Sequence, residues 1–192
     1  HGVHGGEYQP FDGIVLTDTF QMFEDGDPDD KLIFPVNNER VEAQKRAPIR
    51  VIVGNPPYRG QASSDEPSDA NLQYPTLDER ISSTFGEASK ARTRTSVYDS
   101  YIRALRWASD RISDSGVVAF VTNNGWLTSK TGDGLRLSLA QEFSSIWVLD
   151  LKGNSRSGKP SNTEGGNVFG VRVGISILIA VKKPKSGECT IH

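Results

Sequence analysis

The sequence predicts an α/β fold with a doubly wound, mostly parallel sheet, on three observations. Apolar runs of strand length recur along the chain, at Ile14–Leu16, Ile49–Val53, Val117–Thr122, Ile146–Leu151 and Val173–Val181. Segments with helical spacing stand between most of them, and strands alternating with helices imply parallel pairing with helices on both faces. Polar residues close three of the runs, at Asp18, Asn55 and Asn123, so they would meet at the carboxyl ends of the strands, where such sheets bind ligands.

The bulk properties agree. The chain has 192 residues, 35% apolar and 24% charged, which suits a folded soluble domain. No apolar run approaches the roughly 20 residues that span a bilayer, and the opening His1-Gly2-Val3-His4 lacks the layout of a signal peptide. Cys189 is the single cysteine, so neither an internal disulfide nor a metal site is expected, and a cytoplasmic protein is. The absent initiator methionine and the Gly/His-rich start suggest a piece of a longer chain: residues 1–10 as leading or linker residues, 11–183 as a partial domain and 184–192 as a tail.

Phe11–Phe20 reads as a buried strand, because Ile14–Leu16 is continuously apolar. The acids of Glu24–Asp30 lack the spacing of a calcium loop. A short polar helix is expected over Asn38–Arg46, stopped before Pro48, and a second strand over Ile49–Val53. Arg59–Pro75, rich in Ser, Asp, Gly and Pro, reads as a long loop. Thr76 with Glu79 and Ser96 with Asp99 are capping boxes that would open two helices. The second has an apolar stripe of Val97, Tyr101, Ala104, Leu105, Ala108 and Ile112, closed by Gly116. Leu135, Leu139 and Phe143 mark a further helix. The last two strands have only a Gly/Ser/Asn-rich loop between them and are expected to pair antiparallel at the sheet edge.

Charge is uneven although the net value is −2. Residues 90–192 hold fifteen bases against eight acids, enough to track a polyanion. Lys90, Arg92, Arg94, Lys152, Arg156, Lys159 and Arg172 are the candidate contacts to the phosphates of such a polyanion. Gly153–Pro160 nearly spells a phosphate-binding loop, but Pro160 stands where a hydroxyl must hold magnesium.

The chemistry concentrates in Val53-Gly54-Asn55-Pro56-Pro57-Tyr58. An asparagine amide can pair with a base edge, a proline-fixed carbonyl can accept from an exocyclic amine, and Tyr58 offers a stacking face. This run resembles the [DNS]-P-P-[YFW] signature of S-adenosylmethionine-dependent methyltransferases that act on planar nitrogens, chiefly adenine N6 in DNA. With Ile14–Phe20, Tyr98–Ile112 and Glu164–Gly170 it is similar to the methyltransferase region of type ISP restriction-modification enzymes, from about Phe11 to Lys183.

That resemblance implies a Rossmann-like methyltransferase fold, S-adenosylmethionine as cofactor and DNA as partner, with helicase, nuclease and target-recognition parts in the same parent chain. It implies that Asn55 and the Pro56 carbonyl orient the adenine amine, with Pro57 completing the loop. Tyr58 would stack on the flipped base, Phe169 would cover its other face, and Asp18 would contact the cofactor's adenine. The family's Gly-rich cofactor loop has no counterpart here, so the chain reads as the later part of the domain, incomplete on its N-terminal side. Two other readings stay open: methylation of RNA or of a protein glutamine by the same cradle, and a non-catalytic nucleic-acid-binding module.

Overall fold

A computed structural model describes residues 11–24, 34–57, 74–91, 98–152, 174–184 and 187–192. The chain divides into two compact units, His1–Pro48 and Ile49–His192.

In the first unit, a 3-10 turn at Gln21–Phe23 precedes helix α1, Pro35–Arg46. Pro35 occupies the first helical turn, where its missing N–H costs nothing, and Lys45 and Arg46 sit at the negative end of the helix dipole. The strand expected over Phe11–Phe20 is absent: Ile14 and Leu16 are exposed, and the segment is extended and turned. The Asn37 side chain takes the place of a neighbouring strand at Leu16, donating from Nδ2 to its carbonyl (2.8 Å) and accepting its N–H at Oδ1 (2.7 Å). Arg40 to Asp12 and Gln44 to the Gly13 carbonyl strap the same segment to α1. An apolar run forms a strand only where another strand satisfies its backbone, and here side chains do so instead.

The second unit is built on five strands: β1 Val51–Gly54, β2 Gly116–Asn123, β3 Ser145–Lys152, β4 Ile175–Lys182 and β5 Thr190–Ile191. Their order is β1-β2-β4-β3-β5. The edge pairs β1·β2 and β3·β5 are parallel and β2·β4 and β3·β4 antiparallel; the last two long strands pair antiparallel as expected, but inside the sheet rather than at its edge, because β4 inserts beside β2 and β5 takes the outer side of β3. The helices are α2 Pro75–Ile81, continued by a π-helical turn at Ser82–Gly86, α3 Ser100–Arg111, α4 Gly125–Thr128 and α5 Asp133–Glu142.

Helix α3 follows its stripe: Tyr101, Ala104, Leu105, Ala108 and Ile112 are all buried. They join Leu77, Ile81, Phe85, Leu135, Leu139 and Phe143 in the core with Val118, Phe120, Leu178, Ala180 and Ile146 of the sheet. The Thr76–Glu79 capping box fails, and the Ser96–Asp99 box rests on Ser96, outside the described residues. Helix α2 starts at Pro75 and α3 is capped by Asp99, neither with a side-chain cap bond, and Ser96 and Val97 lie outside the described residues. Proline at the first turn decides where α1 and α2 begin. Helix α3 ends at Arg111, with Ser113 in a left-handed conformation, and Gly116 belongs to β2.

Polar ties fasten the helices. Arg103 holds Asp78 through two bonds of 2.8 Å, joining α3 to α2. Arg106 is 1% exposed, lies over the Phe85 ring, and is paired with Asp110 and with Glu142 of α5. Gly134 lets α5 touch the π-helical turn, since a Cβ there would collide with the Phe85 carbonyl and lie 2.8 Å from the Ser89 nitrogen.

The opposite face of the sheet stays open. Val53, Ala119, Ile179 and Trp147 form one cross-strand row in register, and Val53 is 75% and Trp147 41% exposed. Val51 and Leu149 are exposed on the same face. A contiguous apolar surface of this kind marks a place where further structure packs.

Candidate functional site

Because β3 and β2 both run against β4, β3 is parallel to β2, as β1 is. The carboxyl ends of β1, β2 and β3 therefore share one edge of the sheet, where β4 begins. That edge gathers Asn55-Pro56-Pro57, Asn123-Asn124, Asp150 and Gly174.

Asn55-Pro56-Pro57 leaves β1 directly. Gly54 pairs with Phe120 while β2 continues to Asn123, so β1 stops short of its neighbour. The two prolines have no N–H to extend the ladder, which fixes where the strand ends. Gly54 is needed for closeness: a Cβ there would lie 3.2 Å from the Phe120 ring. Asn55 and Pro57 are exposed and Pro56 half-buried. Among the described residues, no side chain holds the Asn55 amide, so the group is presented at the rim.

Beside it, β2 ends in a locked turn. The Asn123 Oδ1 accepts the Gly125 N–H at 2.6 Å, and the Trp126 indole donates to Thr122, whose hydroxyl also meets Ser176 across the strands at 3.0 Å. A cavity of about 200 Å³ lies there, lined by Asp99, Tyr101, Asn123, Trp126 and Thr131 among others. Burial, aided by the Asp99 charge, pushes the Tyr101 phenol up from its ordinary value, so it stays a neutral donor.

The other expected residues are placed unevenly. Lys90 is exposed, and its backbone N–H is held by Asp133; Lys152 is exposed at the end of β3. Tyr58, Arg92, Arg94, Arg156, Lys159, Phe169 and Arg172 lie outside the described residues. Asp18 was expected at the carboxyl end of a strand. It stands instead in an exposed turn of the first unit, where its Oδ1 accepts the Phe20 N–H at 2.9 Å, because the run before it forms no strand. Among the described residues there is no cluster that could hold a metal ion and no helix long and apolar enough to cross a membrane. Asp150 is an addition to the site edge; standing between Leu149 and Leu151 inside an apolar run, it carried no signal of its own in the sequence.

Solved structures share this fold. The type ISP restriction-modification enzyme LlaBIII, solved bound to DNA, is 44% identical over 96% of this chain, with a TM-score of 0.86. A nuclease-deletion mutant of the type ISP enzyme LlaGI, in complex with a DNA substrate mimic, is 39% identical over 99% of this chain, with a TM-score of 0.88. DrdV, solved as a DNA complex, is 38% identical over 97%, with a TM-score of 0.83. This chain spans only 13%, 16% and 18% of those three chains, respectively. Residues 18–156 match the Eco57I restriction-modification methylase family, and the chain belongs to that family.

Proposed function

We propose that this chain is the amine-orienting part of an S-adenosylmethionine-dependent adenine-N6 DNA methyltransferase, carried within a larger restriction-modification protein. The observation that carries the proposal is the rim position of Asn55-Pro56-Pro57: a strand cut short by two prolines, with an exposed amide beside the end of β2. The Asn55 Oδ1 accepts one hydrogen of the adenine amine and the Pro56 carbonyl accepts the other. Both acceptors draw the nitrogen lone pair out of conjugation with the ring and aim it, so these residues act by orientation. Tyr58 and Phe169 clamp the flipped base.

S-adenosylmethionine supplies the electrophilic methyl group when bound. Asp18 is the residue assigned to its adenine, and its exposed carboxylate suits that contact. No G-x-G-x-x-G occurs in the sequence, and the methionine half is assigned to another part of the parent protein. Helices from that part of the parent protein would cover the open face around Val53 and Trp147. Lys90, Arg92, Arg94, Lys152, Arg156, Lys159 and Arg172 neutralise DNA phosphates, and helicase, nuclease and target-recognition parts complete a cytoplasmic enzyme.

Presenting methyl-labelled S-adenosylmethionine and the full-length parent with DNA, RNA and protein acceptors tests the reading. Label is expected in DNA. Label confined to RNA or to glutamine-bearing protein contradicts it.

A further inference from the structure

The cavity of about 200 Å³ at the carboxyl end of β2 takes no part in the chemistry assigned to Asn55-Pro56-Pro57. One of the groups lining it is unusual. Tyr101 is 6% exposed, and among the described residues nothing forms a hydrogen bond with its hydroxyl. Burial and the Asp99 charge keep the phenol neutral, so the cavity holds a donor that no group of the chain receives. A buried hydroxyl without a partner costs free energy, a cost that a bound acceptor would remove.

The walls around it are fixed in advance. Trp126 is buried, its indole N–H donates to the Thr122 hydroxyl at 3.2 Å, and Thr122 meets Ser176 of β4 at 3.0 Å. The Asn123 Oδ1 is held by the Gly125 N–H at 2.6 Å. Gly132 brings the next turn against Trp126, since a Cβ there would lie 2.6 Å from the Trp126 carbonyl. A pre-formed pocket with an aromatic wall and a few convergent polar groups is the ordinary form of a small-ligand site.

The lining narrows the class of ligand. The Asp99 carboxylate repels phosphate and other anions and accepts hydrogen bonds, while the neutral Tyr101 phenol donates one. The complementary edge carries an acceptor beside a donor, and adenine and cytosine have that pair as a ring nitrogen beside an exocyclic amine. Trp126 and Ile102 suit the faces of such a ring, and the volume has room for one ring system rather than a chain. Asn55 stands one residue past the Gly54–Phe120 pair, and Asn123 three residues past it on the adjacent strand, roughly 7 Å further along the same edge.

We propose that this cavity is a seat for an amine-bearing nucleobase, with Tyr101 donating to a ring nitrogen and Asp99 accepting from the amine. A base extruded from DNA and the adenine of the methyl donor present the same edge. The proposal rests on the methyltransferase reading above.

Tyr101→Phe deletes the hydroxyl and keeps the shape. In the full-length protein its melting temperature should stay at or above wild type, because no hydrogen bond within the chain is lost. Binding should nevertheless weaken by roughly threefold to tenfold, the scale of one hydrogen bond. Weaker binding of a duplex carrying the target sequence, with unchanged affinity for a duplex abasic at the target position and for S-adenosylmethionine, assigns the seat to the extruded base. Weaker S-adenosylmethionine binding in calorimetry, with both duplexes bound as by wild type, assigns it to the methyl donor. Wild-type affinity for all three overturns the proposal, as does a fall in melting temperature, which would give the hydroxyl a structural role. Asn55→Ala separates the two readings: normal methyl transfer by that variant removes the methyltransferase site itself, whereas an inactive Asn55→Ala beside a Tyr101→Phe that binds normally removes only the seat.

Discussion

Asn55→Ala is expected to lower methyl transfer by the full-length protein by at least about a hundredfold in kcat, while leaving its folding intact. The size follows from removing a preorganised hydrogen-bond partner aimed at charge developing in the transition state, which costs on the order of 10² to 10³ in rate. Folding is spared because Asn55 is exposed and lies beyond the last ladder pair of β1, so no buried group loses a partner. Radiolabel incorporation and a thermal melt check the two halves of the expectation. Asn55→Asp retains an acceptor oxygen and should fall between the two.

Glu142→Ala carries the largest expected cost in stability. Arg106 is nearly fully buried and divides its guanidinium between Glu142, at 2.6 and 2.8 Å, and Asp110. Removing one carboxylate leaves buried positive charge undercompensated, at a cost of about 3–5 kcal/mol measured by denaturant unfolding. Ser109 also loses its acceptor on Glu142. The same pair gives a pH dependence. Burial alone would raise the Glu142 carboxyl, but the hydrogen bond and charge of Arg106 outweigh it and hold the group below its ordinary value of 4.5. A carboxyl lowered in the folded state stabilises above its ordinary value and loses that contribution as pH falls through the lower, folded one. Stability of the chain should therefore decline from about pH 4.5 downward, and Glu142→Ala should flatten that decline. Asp133, held low by the Ser89 hydroxyl and the Lys90 N–H, adds to the fall in the same direction.

Local pattern was enough for much of this fold. The runs at Ile49–Val53, Val117–Thr122 and Ile146–Leu151 became strands, and the stripe from Tyr101 to Ile112 became the buried face of α3. Ile14–Leu16 shows the limit of such patterns. Its composition suits a strand, but composition does not supply a pairing partner, and Asn37 took that role. The capping box at Thr76 was outranked by Pro75. At the site edge, Asn55-Pro56-Pro57 was legible because its chemistry is contiguous in sequence. Asn124–Asp150 and Arg106–Glu142 were not, because each pair is separated by tens of residues and meets only once the strand order and helix packing are known.

The identity of the methylated nucleoside tests the central claim most directly. DNA incubated with the full-length protein and S-adenosylmethionine can be digested to nucleosides and resolved by mass spectrometry. The amine-orienting role of Asn55 and Pro56 predicts N6-methyldeoxyadenosine, absent from the Asn55→Ala reaction. Methylcytosine in its place, or methylated adenine undiminished by Asn55→Ala, would contradict the account.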